Sequence, residues 1–90
     1  MSVQKVVEAC ELANTFIKLG YLFRAKVCLN IALENLSLLR NKTNIAQVKS
    51  LLTRKTDECL LLEQRVNDKI KQRKLIKVYE LQSGNTFRNQ

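Results

Sequence analysis

The sequence predicts an all-α fold, an antiparallel three-helix bundle in which the third helix is extended. Apolar residues recur at helical spacing in three separate segments, and short turn-forming stretches divide these segments. The 90-residue chain also has no proline, two glycines and 46% apolar residues. Three amphipathic helices joined by short turns bury one common core, which a chain of this length closes without disulfides.

The first predicted helix runs from about Ser2, a favourable N-cap residue, to Leu19. We expect Gly20 to adopt the left-handed conformation that ends a helix. At 100° per residue, one face collects the apolar side chains. This predicted core face comprises Val6, Ala9, Cys10, Ala13, Phe16 and Ile17.

The second predicted helix spans roughly Leu22 to Arg40, and the polar stretch 41–44 follows it. Small residues on its apolar stripe allow the first two helices to approach closely. The stripe comprises Ala25, Cys28, Leu29, Ala32, Leu33, Leu36 and Leu39. Ile31 and Leu38 form a second, narrower row, which is either the margin of the core or one wall of a groove for a partner helix.

The third predicted helix begins at about Asn44, and its apolar surface is wider than one helix contact needs. Leu51 and Leu62 lie on one flank, Leu60 lies on the other, and Leu61 falls among charged residues. The predicted core face comprises Ile45, Val48, Leu52, Cys59, Val66 and Ile70.

The apolar pattern changes phase after Ile70, which indicates that the helix leaves the bundle there. We therefore divide the chain into a bundle, residues 1–72, and a basic helical extension with a disordered tail, residues 73–90. The tail is predicted from Ser83 to Gln90.

The composition argues against several classes of function. Without histidine, a glycine-rich phosphate loop or a paired nucleophile and base, the chain is not expected to be an enzyme or to hold a cofactor or metal. Cys10, Cys28 and Cys59 are widely spaced and are interpreted as small buried hydrophobic residues. No apolar run is long enough for a membrane span, and no signal-peptide core is found, so we expect an intracellular protein.

Residues 69–77 concentrate five basic residues and no acidic one, in a chain with a net charge of +8. Lys69, Arg73 and Lys77 recur every four residues and form a stripe. This stripe is either a solvated helix face or an auxiliary contact with an anionic membrane. Specific nucleic-acid binding is not favoured, because no stacking aromatic residues are interleaved with these cations.

Three motifs resemble those of the microtubule interacting and trafficking (MIT) domain, a three-helix bundle related to the tetratricopeptide repeat. They are Gly20-x-Leu22-x-x-Ala25, then Ala32-Leu33, then Lys55-x-x-Glu58-x-Leu60. The resemblance covers roughly residues 6 to 70. It departs from the family at Leu22, where tyrosine is usual, and at 61–62, where charged residues are common.

The segment 59–66 is similar to one branch of that family, the regulatory subunits of the autophagy-specific phosphatidylinositol 3-kinase complex. The resemblance implies a non-catalytic module that docks such a subunit onto the kinase complex and supports autophagosome formation. It also implies a monomeric domain at the periphery of pre-autophagosomal or endosomal membranes. The alternative is an MIT domain that binds C-terminal motifs of ESCRT proteins.

The predicted groove would receive a partner helix, which places leucines on apolar rows. Acidic residues of that helix would meet Lys49 or Arg54. The apolar residues predicted to line the groove are Ile31, Leu38, Leu51, Leu61 and Leu62. A tetratricopeptide solenoid is the structural alternative, but no second copy of the glycine–alanine motif occurs.

Overall fold

The computed structural model describes the backbone of residues 3–88 and the side chains of residues 3–77. Three helices follow one another: α1 (Val3–Leu19), α2 (Leu22–Lys42) and α3 (Ala46–Arg88). No strand occurs within residues 3–88. The predicted all-α fold with three helices is therefore confirmed, while the predicted N-cap Ser2 lies outside the described residues.

The turn between α1 and α2 is a Schellman motif centred on Gly20. Gly20 has a φ of +83°, in the left-handed region. Its N–H donates to the carbonyl of Ile17 at 3.1 Å, and the N–H of Tyr21 donates to the carbonyl of Phe16 at 2.7 Å. The rings of Phe16 and Tyr21 lie 6.2 Å apart, which supplies the apolar contact typical of this motif.

Small side chains hold α1 and α2 close together. Ala13, Ala25 and Ala32 are fully buried, and the large side chains of Leu29 and Leu36 fill the space beside them. Close packing of this kind leaves no room for water, and no polar side chain is buried within residues 3–77. The predicted apolar faces of the first two helices are confirmed, with Phe16, Ile17, Cys28, Leu33 and Leu39 partly buried at their edges.

Helix α3 packs mainly against α2 and completes the core with Cys59, Val66 and Ile70. It meets α1 at Cys10, whose Sγ atom lies 3.7 Å from the Sγ atom of Cys59. Burial raises the pKa of the Cys59 thiol to about 12, and the neighbouring Cys10 thiol adds to this shift.

Ile45 and Val48 were predicted to face the core, and this prediction is wrong, because they are 60% and 37% exposed. The contact between Cys10 and Cys59 shows that these two residues lie at the same height along the bundle. Both helices rise by the same amount per residue, so the heights of their other residues can be compared from this point. Since α1 begins only at Val3, it does not reach the level of the first residues of α3. These two side chains therefore have no third helix to cover them.

The molecule is elongated, with extents of 65 × 18 × 15 Å, because α3 is far longer than its two partners. Leu75 and Ile76, which follow the last buried residue of α3, are 68% and 57% exposed. The predicted disordered tail, Ser83–Gln90, falls largely within α3, which runs to Arg88. Residues 89–90 lie outside the described part of the chain.

Candidate functional site

The two apolar residues predicted on the second helix lie on its outer side. Ile31 and Leu38 each follow a fully buried leucine, Leu29 and Leu36, by two residues. Two residues correspond to 200° around a helix, so both side chains point away from the core. Each is 46% exposed.

The predicted residues of the third helix are placed differently. Leu62 packs against the core and is partly buried, whereas Leu51 and Leu61 are 59% and 54% exposed. Lys49 and Arg54 are also exposed. Ile31 and Leu38 thus lie on the outer side of α2, whereas Leu62 lies at the edge of the core.

A different concave surface forms where the start of α2 meets α3. Its volume is about 440 Å³, and we call it the turn cleft. Of the side chains that the structure describes, α2 contributes Phe23, and α3 contributes Ile70, Arg73, Lys74, Ile76 and Lys77. Two of the cations predicted as a basic stripe, Arg73 and Lys77, therefore lie in this cleft beside exposed apolar side chains.

The pattern of α3 explains the mixed character of the turn cleft. Ile70, Arg73, Lys74 and Lys77 follow one another at i, i+3, i+4 and i+7, so they share one face of the helix. This face continues the buried stripe that ends at Ile70. The core face of α3 thus changes from apolar to cationic at the point where the bundle ends.

Two smaller hollows adjoin the turn cleft, and Arg73 lines all three. One, of about 220 Å³, lies towards α1 and includes Lys69 and Gln72. The other, of about 390 Å³, follows the α1–α2 turn and includes Tyr21 and Arg24. The three hollows form one continuous surface around the Arg73 side chain.

This surface is strongly positive. Among the side chains that the structure describes, its cations are Arg24, Lys69, Arg73, Lys74 and Lys77, and none of the described lining residues is acidic. None of the five forms an ion pair with another residue whose side chain is described. Arg24 makes a cation–π contact instead: its guanidinium carbon lies 5.3 Å from the centre of the Tyr21 ring. Clustered unpaired cations create a local field that attracts anions.

Sequence reasoning found the cations of α3 but missed Phe23, Tyr21 and Arg24. A signal for them was present in the length of the second helix. Helix α2 runs antiparallel to α3 for 21 residues after a short connection, which places the start of α2 beside α3 near Ile70. Elsewhere, no group of three or more His, Cys, Asp or Glu side chains in the described part of the chain could hold a metal ion. Within the same residues, no helix is long and apolar enough to cross a membrane.

Comparison with known proteins assigns the amino-acid sequence to a family. The sequence model of a family of unknown function (DUF5475) matches residues 1–81. The chain belongs to this family.

Two relatives of this DUF5475 chain come from nuclear polyhedrosis viruses. An uncharacterized 9.5 kDa protein in the HE65-PK2 intergenic region of Autographa californica nuclear polyhedrosis virus is 63% identical over 81 residues, which is 90% of this chain and 99% of the relative. An uncharacterized 9.3 kDa protein of Orgyia pseudotsugata multicapsid polyhedrosis virus is 52% identical, with the same coverage. No solved structure matches the chain.

The resemblance to the MIT domain is wrong, and the DUF5475 match overturns it. The motifs that suggested it have a more general cause. Gly20 ends α1, and Ala25 and Ala32 allow α1 and α2 to touch, as any tightly packed helical hairpin requires. The assignments to autophagy, to membrane trafficking and to the kinase complex depended on that resemblance, and they are withdrawn together with it.

Proposed function

We propose that this protein is a non-catalytic interaction module that binds an acidic, amphipathic helical segment of another protein in the turn cleft. The observation that carries the proposal is the composition of that cleft. An apolar floor of Phe23, Ile70 and Ile76 is surrounded by three cations, and no carboxylate is found among the described side chains that line it.

The apolar floor favours a partner with at least one large hydrophobic side chain. Phe23 and Ile76 are 65% and 57% exposed, although both sit next to a folded core. Covering such a side chain completely contributes about 1.5 to 3 kcal/mol, and aromatic residues are frequent anchors of interfaces. The hydrocarbon stems of Arg73, Lys74 and Lys77 extend the apolar surface and leave their charges at the rim.

The cationic rim favours a partner with acidic residues around its apolar anchor. Complementary charges speed association and reject basic competitors. Because the five cations have no acidic partner among the described side chains, an incoming carboxylate does not have to displace an existing ion pair. Exposed charges are screened by salt, so we expect affinity to fall steeply as ionic strength rises.

The shape of the surface favours a helix over an extended chain. No strand lies within residues 3–88, so no sheet edge is present there for a partner strand to extend. A helix placed in a groove between helices presents side chains at i, i+3 or i+4 and i+7, which suits three adjoining hollows. A contact confined to these three hollows is small for a specific protein–protein interface, so we expect a dissociation constant on the order of micromolar.

The non-catalytic part of the proposal is supported by the chemistry of the same surface. The titratable groups among its described lining residues are lysine, arginine and Tyr21, and these residues include no carboxylate or thiol that could act as a base or nucleophile. A surface of this kind attracts and holds an anionic partner but offers no acid–base pair.

A titration with a synthetic helical peptide tests the proposal. The probe is a fluorescein-labelled peptide of Glu, Ala and Leu, with leucines at i, i+4 and i+7 flanked by glutamates, and fluorescence anisotropy reports binding. We expect the double variant Arg73→Glu/Lys77→Glu to weaken binding at least about tenfold. Phe23→Ala should weaken it as well, since it removes the apolar anchor point.

The matched control is Lys49→Glu/Lys71→Glu, which changes the net charge equally at two exposed lysines that do not line the cleft. Equal losses for both double variants would mean that only net charge matters and would overturn the proposal. Binding to phosphatidylserine vesicles, lost through the same cleft variants and without any binding of the peptide, would instead assign the surface to an anionic membrane.

A further inference from the structure

We propose that Cys10 and Cys59 form an oxidisable dithiol, which closes a disulfide between α1 and α3 when the protein meets a small disulfide oxidant such as oxidised glutathione. Their Sγ atoms lie 3.7 Å apart, and both side chains are buried. The two residues are separated by 48 others in the sequence, so only the fold brings them together.

The geometry requires only a small movement. A disulfide bond is about 2.05 Å long, so the two sulfur atoms must approach by roughly 1.7 Å. Helices α1 and α3 each pack mainly on α2. A slight shift of α1 towards α3, together with rotation of the cysteine side chains, closes this gap, and the shift is accommodated where α1 packs on α2.

The third cysteine provides an internal comparison. Cys28 lies on α2, is partly buried and makes no sulfur contact with either of the other two. It is a free thiol in the same protein, with the same solvent and the same oxidant, but without a neighbouring thiol. The proposal assigns it no part in the disulfide.

The reaction proceeds by two thiol–disulfide exchanges. The Cys10 thiolate attacks one sulfur of oxidised glutathione, and a glutathione thiolate leaves, which gives a mixed disulfide. Cys59 then loses its proton to solvent and attacks the Cys10 sulfur, and the second glutathione thiolate leaves. Two protein thiols are oxidised by two electrons, and one oxidised glutathione becomes two reduced molecules.

The order of the two exchanges follows from accessibility. Cys10 is 9% exposed and Cys59 is 2% exposed, so Cys10 meets the oxidant first. Because burial raises the pKa of Cys59 to about 12, little of its thiolate is present at neutral pH until α1 moves aside. We therefore expect the reaction to be slow, with a rate that rises under conditions that loosen α1.

Peptide mapping tests the proposal directly, because trypsin separates the three cysteines. Cleavage after lysine and arginine places Cys10 in 6–18, Cys28 in 27–40 and Cys59 in 56–65. After incubation with oxidised glutathione, we expect a monomer that has lost two hydrogen atoms and a non-reduced digest in which 6–18 is joined to 56–65. The thermal midpoint should be at least about 5 °C higher without reductant than with it.

Two variants make the result specific. Cys28→Ala should still give the cross-linked peptides, whereas Cys10→Ala should give none, and circular dichroism confirms that both remain helical. The proposal is overturned if Cys10 and Cys59 remain free or stop at the glutathione adduct after prolonged oxidation of the wild-type protein. A disulfide that includes Cys28 would overturn it equally.

Discussion

The guanidinium of Arg73 lies directly against Gly20: its Nη2 atom is 2.9 Å from the point that a Cβ atom on Gly20 would occupy. The end of α1 and the face of α3 thus meet at one glycine. Gly20 serves two purposes, since its left-handed backbone ends α1 and its missing side chain leaves room for the cation that lines all three hollows.

Gly20→Ala should lower the free energy of unfolding by about 1 to 2 kcal/mol, as measured by urea denaturation. The main cause is the φ of +83°, which is unfavourable for a residue with a Cβ atom. Because the tip of Arg73 is flexible and can move aside, adding Arg73→Ala should restore little of the loss. Full restoration in the double variant would show that the clash, and not the backbone, sets the cost.

Leu36→Ala should lower the free energy of unfolding by about 2 to 5 kcal/mol, because it leaves a cavity in the core. Leu36 is 1% exposed, whereas Leu38, the same residue type on the same helix, is 46% exposed. Leu38→Ala should therefore change stability by less than about 0.5 kcal/mol. Similar losses for the two variants, measured by urea denaturation, would contradict the placement of α2.

Stability should decline at alkaline pH because of Cys59. In the folded state the pKa of this thiol is about 12, against an ordinary value of 9.0. The protonated thiol therefore contributes its full stabilisation of the folded state below about pH 9. As the pH rises above 9, the unfolded chain ionises first and stability falls by roughly 1 kcal/mol per pH unit. Urea denaturation from pH 8 to 11 measures this slope, which Cys59→Ala should flatten relative to the matched variant Cys28→Ala.

The helices and most of the core could be predicted because the information is local. Helical periodicity alone indicates that Ala13 and Leu29 are buried, and glycine at position 20 marks the end of α1. Periodicity does not say how far a neighbouring helix extends, however. The exposure of Ile45 and Val48 depends on where α1 begins relative to α3, which is a property of the assembled bundle.

The candidate site could be predicted only in part for the same reason. The cationic stripe of α3 is visible as a four-residue spacing, but its apolar neighbour Phe23 lies 50 residues from Arg73 in the sequence. The pairing of Cys10 with Cys59 is equally non-local. The mistaken family resemblance has the opposite origin, since it was built on local spacings that many helical hairpins share.

The most direct test of the binding role is a map of amide chemical shifts in ¹⁵N-labelled protein during titration with the acidic amphipathic peptide. We predict saturable shifts concentrated in residues 20–24 and 69–77, the two segments that supply most of the described lining of the three hollows. These shifts should diminish as salt is added. Shifts centred on the outer row of Ile31 and Leu38, or no saturable shifts at low salt, would contradict the account.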